Sequence, residues 1–394
     1  MVNLLPLIIL TCDLITKSTP AGRDEMVSPR YPNRRLCAMM EKQSLTINVE
    51  REETKMKITT IGLDLAKNVF HVVCFNDHGK EIKKRMLRRN QVLEFFTQLP
   101  PCQVSMEACA GSHYWGRQLR ALGHNVKLIS PQHVKPYLRG NKNDYNDARA
   151  IAEAAMRPDM PVVGIKTVEE QDMQALHRMR SQCLRDRTAL SNSIRGLLGE
   201  YGIVFAKGVP TLRKKIPEIL EDAENGLSLG FRNLLVRRYE QLVELEDHIA
   251  FYTKELEGLS RQDEACQRLQ TVPGFGPIVA SAFRSVIGDG RTYARGRDAA
   301  ASIGLVPRQC SSGGKNVLLG ISKRGNKYLR KQLIHGARSV VLQAAHKEDP
   351  LSCWINRIRK ERGWNKAVVA LANKMARIGW AVLRYRSQYQ PASR

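Results

Sequence analysis

Beyond residue 56 the apolar positions follow a period of two, and further on they follow steps of three and four. Residues 57–63, 69–75 and 82–87 are β-rich runs bounded by turn residues, which predicts three strands. Asn76-Asp-His-Gly79 between the second and third predicts a hairpin turn. Residues 90–98 predict a helix and 103–106 a fourth strand. Residues 114–122 predict a helix stopped by Gly123, and 126–129 a fifth strand halted by Pro131. Asp144 is placed to cap a helix over 145–156. Long helices are predicted over 168–198 and 234–259. In the second, Leu235, Leu242, Leu245, Ile249, Tyr252, Leu256 and Leu259 form a heptad seam. The first carries Met173, Leu176, Met179, Cys183, Leu190, Ile194 and Leu197. An antiparallel helical pair, an intermolecular coiled coil and a plain hairpin between domains all satisfy that pattern. Helices over 278–287, 333–345 and 367–383 complete the chain.

Residues 1–55 follow neither period. The apolar run at 4–10 is broken by Pro6 and is too short to span a bilayer. It also lacks the basic flank and small-residue cleavage site of a signal peptide. A disordered extension over 1–55 is expected, translated from an upstream start, with the fold beginning at Met56. Three further domains are expected, over 56–165, 166–265 and 266–394.

One strand carries an unusual residue. In Ile61-Gly-Leu-Asp-Leu-Ala-Lys67, Asp64 sits within an apolar run, where an unpaired carboxylate costs several kcal/mol, roughly, to bury. A metal ion or a basic partner is expected beside it. Glu107 ends the fourth strand in Val104-Ser-Met-Glu107. Asp144 and Asp147 lie three apart in Asn143-Asp-Tyr-Asn-Asp-Ala-Arg149 and share a helix face. Four such hard oxygen donors suit Mg²⁺ or Mn²⁺. The plainer reading for Asp147 is a surface pair with Arg149 or Lys142.

Composition changes the picture through charge. The net charge is +25, and residues 291–394 alone hold 22 Lys and Arg against 4 Asp and Glu. Such clustering points to a polyanionic partner, nucleic acid, rather than to general solubility. The nine cysteines form no C-x-x-C pair, so neither a metal finger nor a disulfide framework is expected. Scattered thiols fit a reducing cytoplasm, and no membrane association is expected.

The basic third holds two loops with ligand-binding character. Thr271-Val-Pro-Gly-Phe-Gly-Pro277 leads into a helix, so the turn at Gly274 and Gly276 can present backbone N–H groups to a phosphate. It resembles the helix-hairpin-helix motif that grips DNA backbones. Ser311, Ser312, Gly313, Gly314 and Lys315 form a small hydroxyl-bearing loop, and Lys323, Arg324, Lys327 and Arg330 follow it. A basic solvated loop with no further role is the plain alternative.

The order β-β-β-α-β-α-β-α, with acids on the first strand, the fourth strand and a late helix, resembles the RNase H-like nuclease fold. From about Met56 to Gln390 the chain resembles a DEDD transposase of the insertion-sequence-110 family, closest to its eleven-eleven subgroup. Three separated motifs carry the resemblance: Ile61 to Lys67, Asn143 to Arg149, and the run from Gly304-Leu-Val-Pro307 through Lys315 to Ser322-Lys-Arg-Gly325 and Leu329-Arg330. The resemblance implies an α/β RNase H-like, junction-resolvase-like N-terminal domain and a long helical, coiled-coil-like linker. A mainly α C-terminal domain with a nucleophilic serine would follow. It implies a metal-binding catalytic tetrad of Asp64, Glu107, Asp144 and Asp147, charged with Mg²⁺ or Mn²⁺. It places the serine in Ser311-Ser312, with Ser312 favoured because it directly precedes glycine. It further implies a homo-oligomer, dimer or tetramer, in which acids and serine meet across subunits. The partners would be DNA, as element ends and target, and a guide RNA encoded by the element, with the protein cytoplasmic and nucleoid-associated. Residues 1–55 depart from the family pattern, which begins near Met56.

Two rivals stand beside this reading. One is a metal-dependent junction resolvase or nuclease in which water attacks and the serine loop only binds phosphate. The other is a nucleic-acid-binding protein without catalysis, which four acids in a basic chain oppose, since they repel phosphate unless a cation bridges them.

Overall fold

The first five β-rich runs pair edge to edge; the first, second, fourth and fifth bury apolar side chains, whereas the third is largely exposed. In the computed structural model, which describes residues 57–141 and 143–391, β1 (Thr60–Asp64), β2 (Val69–Phe75) and β3 (Glu81–Arg88) form an antiparallel meander. A short turn of 3₁₀ helix at Arg89–Gln91 leads into α1 (Val92–Thr97). β4 (Gln103–Glu107) lies parallel to β1, α2 (Ser112–Ala121) follows, and β5 (Asn125–Ile129) lies parallel to β4. After α3 (Pro131–Val134) and α4 (Asp144–Ala155), β6 (Val162–Val163) closes antiparallel on β5. The sheet order is β3-β2-β1-β4-β5-β6. The extension expected over 1–55 lies outside the described residues.

The strand period decides which face each residue serves. Ile61, Leu63, Phe70, Val72, Val104 and Met106 pack with Phe96, Trp115 and Leu119 on the side of α1 and α2. Gly62 faces the other way, toward α4. A Cβ there would stand 1.9 Å from the Ala148 carbonyl oxygen and 3.0 Å from the Ala152 Cβ. Glycine on the strand and alanine on the helix thus let α4 lie almost against β1. Asn143, not Asp144, caps α4, its side-chain oxygen accepting from the Tyr145 N–H at 2.9 Å. Asp144 is therefore the first helical residue, and its carboxylate is free of capping duty.

Helices dominate the remainder. α5 (Val168–Glu200) opens on a capping box of Thr167 and Glu170. α6 (Val209–Glu221) follows, then α7 (Leu229–Gln262). α5 and α7 run antiparallel, with Arg180 donating to Thr253 Oγ1 at 2.7 Å and Arg187 facing Glu246 at 3.9 Å. Leu235, Leu242, Ile249 and Leu256, seven apart, are buried along α7. Of the seam expected on α5, Met173 and Ile194 are buried, whereas Met179 and Leu197 are exposed. α6 was not expected, because Pro210 and Pro217 disguise it. Pro210 stands in the first turn, where it costs no hydrogen bond, and Leu212, Ile216 and Ile219 are buried against the helical pair.

The last part begins with α8 (Glu264–Gln270) and α9 (Pro277–Ile287), joined by the glycine-bearing turn, and continues with α10 (Gly296–Ser302). A two-stranded hairpin of β7 (Pro307–Gln309) and β8 (Leu318–Ile321) follows. α11 (Lys327–Gln343), α12 (Pro350–Arg362) and α13 (Trp364–Tyr385) end the fold. Phe275, Phe283, Leu333, Met375 and Trp380 centre this core, which also takes in Met173 of α5 and Leu256 of α7. The chain is thus a mixed α/β sheet region followed by a helical region. No helix among the described residues is long and apolar enough to cross a membrane.

Candidate metal centre and serine hairpin

Asp64 stands at the end of β1, and the close approach of α4 to Gly62 brings the first turn of that helix over it. Carboxylate oxygens of Asp64, Asp144 and Asp147 lie within 4.8 Å of one another. Among the described residues no lysine or arginine pairs with Asp64 or Asp147. Arg149 instead pairs with Glu81 at 2.6 Å, so it does not hold Asp147. Burial, then the charges of Asp147 and Asp144, push the Asp64 carboxyl up to about 6, with Glu107 adding to the rise and His71 opposing it. Converging acids that no lysine or arginine pairs with among the described residues suit a bound divalent cation.

Glu107, at the end of β4, stands outside the tight group of three. It still belongs to the same field: burial, then the charge of Asp147, raise its carboxyl above the ordinary range. The four acids expected from sequence therefore gather at one end of the sheet, three of them closely.

His71 was missed. It pairs with Asp64 across the β1–β2 ladder, and its Nδ1 lies 3.5 Å from Asp144 Oδ2. That nitrogen is closed off from solvent and makes no hydrogen bond. The ring meets Tyr145 edge-on, with centroids 4.8 Å apart. A polar residue in an otherwise apolar strand, Val69 to Phe75, was the available signal.

Ser311 and Ser312 lie on the β7–β8 hairpin, and both are exposed. Ser312 and Lys315 exchange backbone hydrogen bonds at 3.3 and 3.0 Å around Gly313 and Gly314, whose φ values are 54° and 78°. Two successive positive φ angles are what a tight two-residue hairpin turn requires, which explains the glycine pair. Ser311 Oγ accepts from Gln309 Nε2 at 3.0 Å, whereas the Ser312 hydroxyl makes no hydrogen bond among the described residues. No hydrogen bond or ion pair joins this hairpin to the acids among the described residues.

The basic residues divide by orientation. Lys315, Lys323, Arg324 and Lys327 are exposed. Arg330 is buried, and its guanidinium donates to the carbonyls of Ile303 at 2.7 Å and Arg324 at 3.0 Å. Gly276 is open on its Cβ side and caps α9. Gly274, at φ 88°, is pressed against the Gly336 carbonyl of α11, so its lack of a side chain serves internal packing.

Residues 266–350 match a family model described as the transposase IS116/IS110/IS902 family. Residues 61–203 match a second model of IS110-type DEDD transposases, described as transposase. A probable family 20 transposase of Pseudomonas aeruginosa is 47% identical over 337 residues, covering 85% of this chain and 100% of the relative. The transposase for insertion sequence element IS1111A of Coxiella burnetii is 43% identical over 352 residues, covering 89% and 97%. The transposase for IS1328 of Yersinia enterocolitica is 42% identical over 327 residues, covering 82% and 96%. With identities of this size over nearly whole relatives, and matches on both the acid-bearing and the serine-bearing region, the chain belongs to the IS110 family of insertion-sequence DNA transposases.

Proposed function

We propose that this transposase cuts and rejoins DNA by serine attack on phosphodiesters, with Asp64, Glu107, Asp144 and Asp147 holding Mg²⁺ or Mn²⁺ at the scissile phosphate. The convergence of Asp64, Asp144 and Asp147 in a chain of net charge +25 carries the reading. When bound, a divalent cation neutralises charge on the phosphate and favours the attacking and leaving oxygens. The remaining roles belong to the chain. Ser312 Oγ bonds to phosphorus, the bond from phosphorus to the DNA 3′ oxygen breaks, and the serine proton passes through solvent to that oxygen. A phosphoserine then joins the protein to the 5′ end, and attack by another strand's 3′ hydroxyl restores the serine. Ser311 is the alternative nucleophile, though its hydroxyl already accepts a hydrogen bond from Gln309. The open turn at Gly313 and Gly314 leaves room for a phosphate, and Lys315, Lys323 and Arg324 supply charge beside it.

The sheet region is read as RNase H-like, since a three-stranded meander extended by two parallel strands carries acids on β1, β4 and α4. Its extent is put at 56–165, followed by a helical linker over 166–265 and a serine-bearing domain over 266–394. The α8–turn–α9 unit is read as a helix-hairpin-helix, with exposed Gly276 and Lys327 toward the DNA backbone. No hydrogen bond or ion pair joins acids and serine among the described residues, and we assign their meeting to a homo-oligomer. Exposed Met179, Leu197, Leu234 and Phe251 on α5 and α7 supply apolar surface for one. A guide RNA from the element is part of the same proposal, and the basic surplus of residues 291–394 suits it.

That no hydrogen bond or ion pair joins the serine hairpin to the acids among the described residues also favours a second reading, a nuclease in which water attacks. One experiment decides. The full chain is incubated with end-labelled DNA of its element, target DNA, flanking RNA and Mg²⁺, and the products are run on denaturing gels. A protein–DNA adduct that disappears in Ser312→Ala supports serine attack. Normal cleavage by Ser311→Ala, Ser312→Ala and the double variant makes water the nucleophile.

A further inference from the structure

The turn that leaves Asp64 and the helix that follows Glu107 also line a second feature, on the opposite face of the sheet from α4. Asn68 and Val69 at the β1–β2 turn, Arg88 to Asn90 around the end of β3, Leu93 of α1, and Tyr114 and Trp115 of α2 line a solvent-open cavity of ≈ 550 Å³. That is the size range of small-ligand sites, roughly 300–1,000 Å³. We propose that this cavity binds one unpaired nucleotide of the DNA strand engaged at the acids, the base stacking on Tyr114 and its phosphate meeting Arg88 and Arg89.

Each wall suits a part of that ligand. Tyr114 is 42% exposed although it lies beside buried Trp115, with ring centroids 5.2 Å apart. An aromatic face held partly open by a fixed neighbour is a stacking platform for a base of any sequence. Trp115 is itself fixed from below by Phe70, edge-on at 5.1 Å. Arg89 lies over the Trp115 ring at 5.2 Å, and its Nη1 donates to the Lys67 carbonyl at 3.3 Å. This guanidinium is thus held in place while its charge stays uncompensated. Neither Arg88 nor Arg89 pairs with a carboxylate among the described residues. No acid lines the cavity, so its charge is positive in the very region where four acids gather on the other face. Apolar Val69 and Leu93 give a base the low-polarity surface that a hydrated loop would lack.

Position supplies the reason for an unpaired base there. Only residues 65–67 separate Asp64 from the cavity wall at Asn68, and residues 108–113 separate Glu107 from Tyr114. A strand bound at the acids therefore passes close to the cavity, and holding one base out of the stack would open the duplex next to the phosphate to be cut. Bases that are mismatched or already single-stranded cost least to extrude, so such substrates would bind best.

The proposal rests on DNA being the substrate, and the test separates the two. Binding of the full chain is followed by anisotropy with an oligodeoxynucleotide bearing one unpaired 2-aminopurine, with the fully paired duplex, and with the matching ribo-oligonucleotide. Tyr114→Ala and Arg88→Ala are expected to weaken binding of the unpaired deoxy strand about fivefold or more. Duplex affinity should stay unchanged, Tyr114→Phe should behave as the unaltered chain, and 2-aminopurine quenching should vanish in Tyr114→Ala. Unchanged affinity and quenching in both variants would overturn the cavity assignment alone. Losses confined to the ribo-oligonucleotide would overturn its assignment to DNA. Absence of DNA binding by the unaltered chain would overturn the cavity and the transposition chemistry together.

Discussion

His71 Nδ1 stands 3.5 Å from Asp144 Oδ2, while the same histidine sits directly across the β-ladder from Asp64. One ring thus touches the helix-borne acid and neighbours the strand-borne one. Its Nδ1 is closed to solvent, so Asp144 is the polar group it can turn to. If Asp144 holds the proposed cation, a histidine so placed would orient that carboxylate without being a ligand itself. His71→Ala is expected to lower Mg²⁺ or Mn²⁺ affinity about 10- to 100-fold while the sheet still forms. Calorimetric titration, with circular dichroism as the control for folding, reads both. Undiminished affinity would remove His71 from the site.

Gly62 makes the convergence of Asp64, Asp144 and Asp147 possible by having no side chain. The Cβ of an alanine there would stand 1.9 Å from a backbone oxygen of α4, which cannot rotate aside. Gly62→Ala should therefore push α4 off β1 and cost about 1–3 kcal/mol of stability. It should also weaken divalent metal binding, because Asp144 and Asp147 ride on the displaced helix. Gly196 in α5 has nothing within 4 Å of its Cβ position, so Gly196→Ala serves as the opposite control, stabilising by about 0.5–1 kcal/mol. Thermal unfolding of the two variants in parallel would show opposite shifts; equal shifts would refute the close-approach account.

Asp64 should give the chain a pH signature. Its carboxyl is raised from 3.8 to about 6, so the folded chain holds that proton more tightly than the unfolded one. The stability this proton confers is complete below about pH 4 and is lost as the pH rises through about 6. At pH 7 in chelator, Asp64→Asn is expected to be more stable than the unaltered chain by about 1–2 kcal/mol, solvent screening allowed for. At pH 4 the difference should close. Added Mg²⁺ should stabilise only the unaltered chain at pH 7. Parallel stability curves for the two proteins across this range would contradict the burial of Asp64.

What could be read in advance divides along physical lines. β2 was legible to the residue, because the Asn76 to Gly79 turn and the apolar run of Val69 to Phe75 bound it from both sides. Asp64 stood out because a carboxylate in an apolar run demands compensation, and Asp144 and Asp147 because three-residue spacing puts them on one helix face. The position of Glu107 beyond the group of three depends on strand pairing, which periodicity does not carry. β7 and β8 were hidden because their residues are largely exposed and lack the alternation that a buried face imposes. α6 was hidden by its prolines. The cap of α4 was misplaced by one residue because Asn143 and Asp144 are both competent caps, and only the backbone conformation separates them.

The orientation of the basic residues after the serine hairpin yields the last prediction. Lys323 and Arg324 are exposed, and Lys323 is held at φ 56°, a left-handed conformation uncommon for lysine. Its backbone N–H donates to the Gly304 carbonyl at 3.1 Å, so the strained turn is locked against the end of α10. Arg330 completes the lock from inside, donating to the carbonyls of Ile303 and Arg324. Phosphate contacts release counterions, so losing one should lower the salt slope of DNA binding by about one. Lys323→Ala and Arg324→Ala are each expected to do so with little change in stability. Arg330→Met should do the reverse. It leaves two carbonyls unpaired and should cost about 2–4 kcal/mol, with the slope unaltered at temperatures where the variant stays folded. Affinity measured at several salt concentrations, beside thermal unfolding, separates the roles. A reduced slope with full stability in Arg330→Met would mean that this guanidinium leaves its buried carbonyls for phosphate, and the internal lock would have to be abandoned.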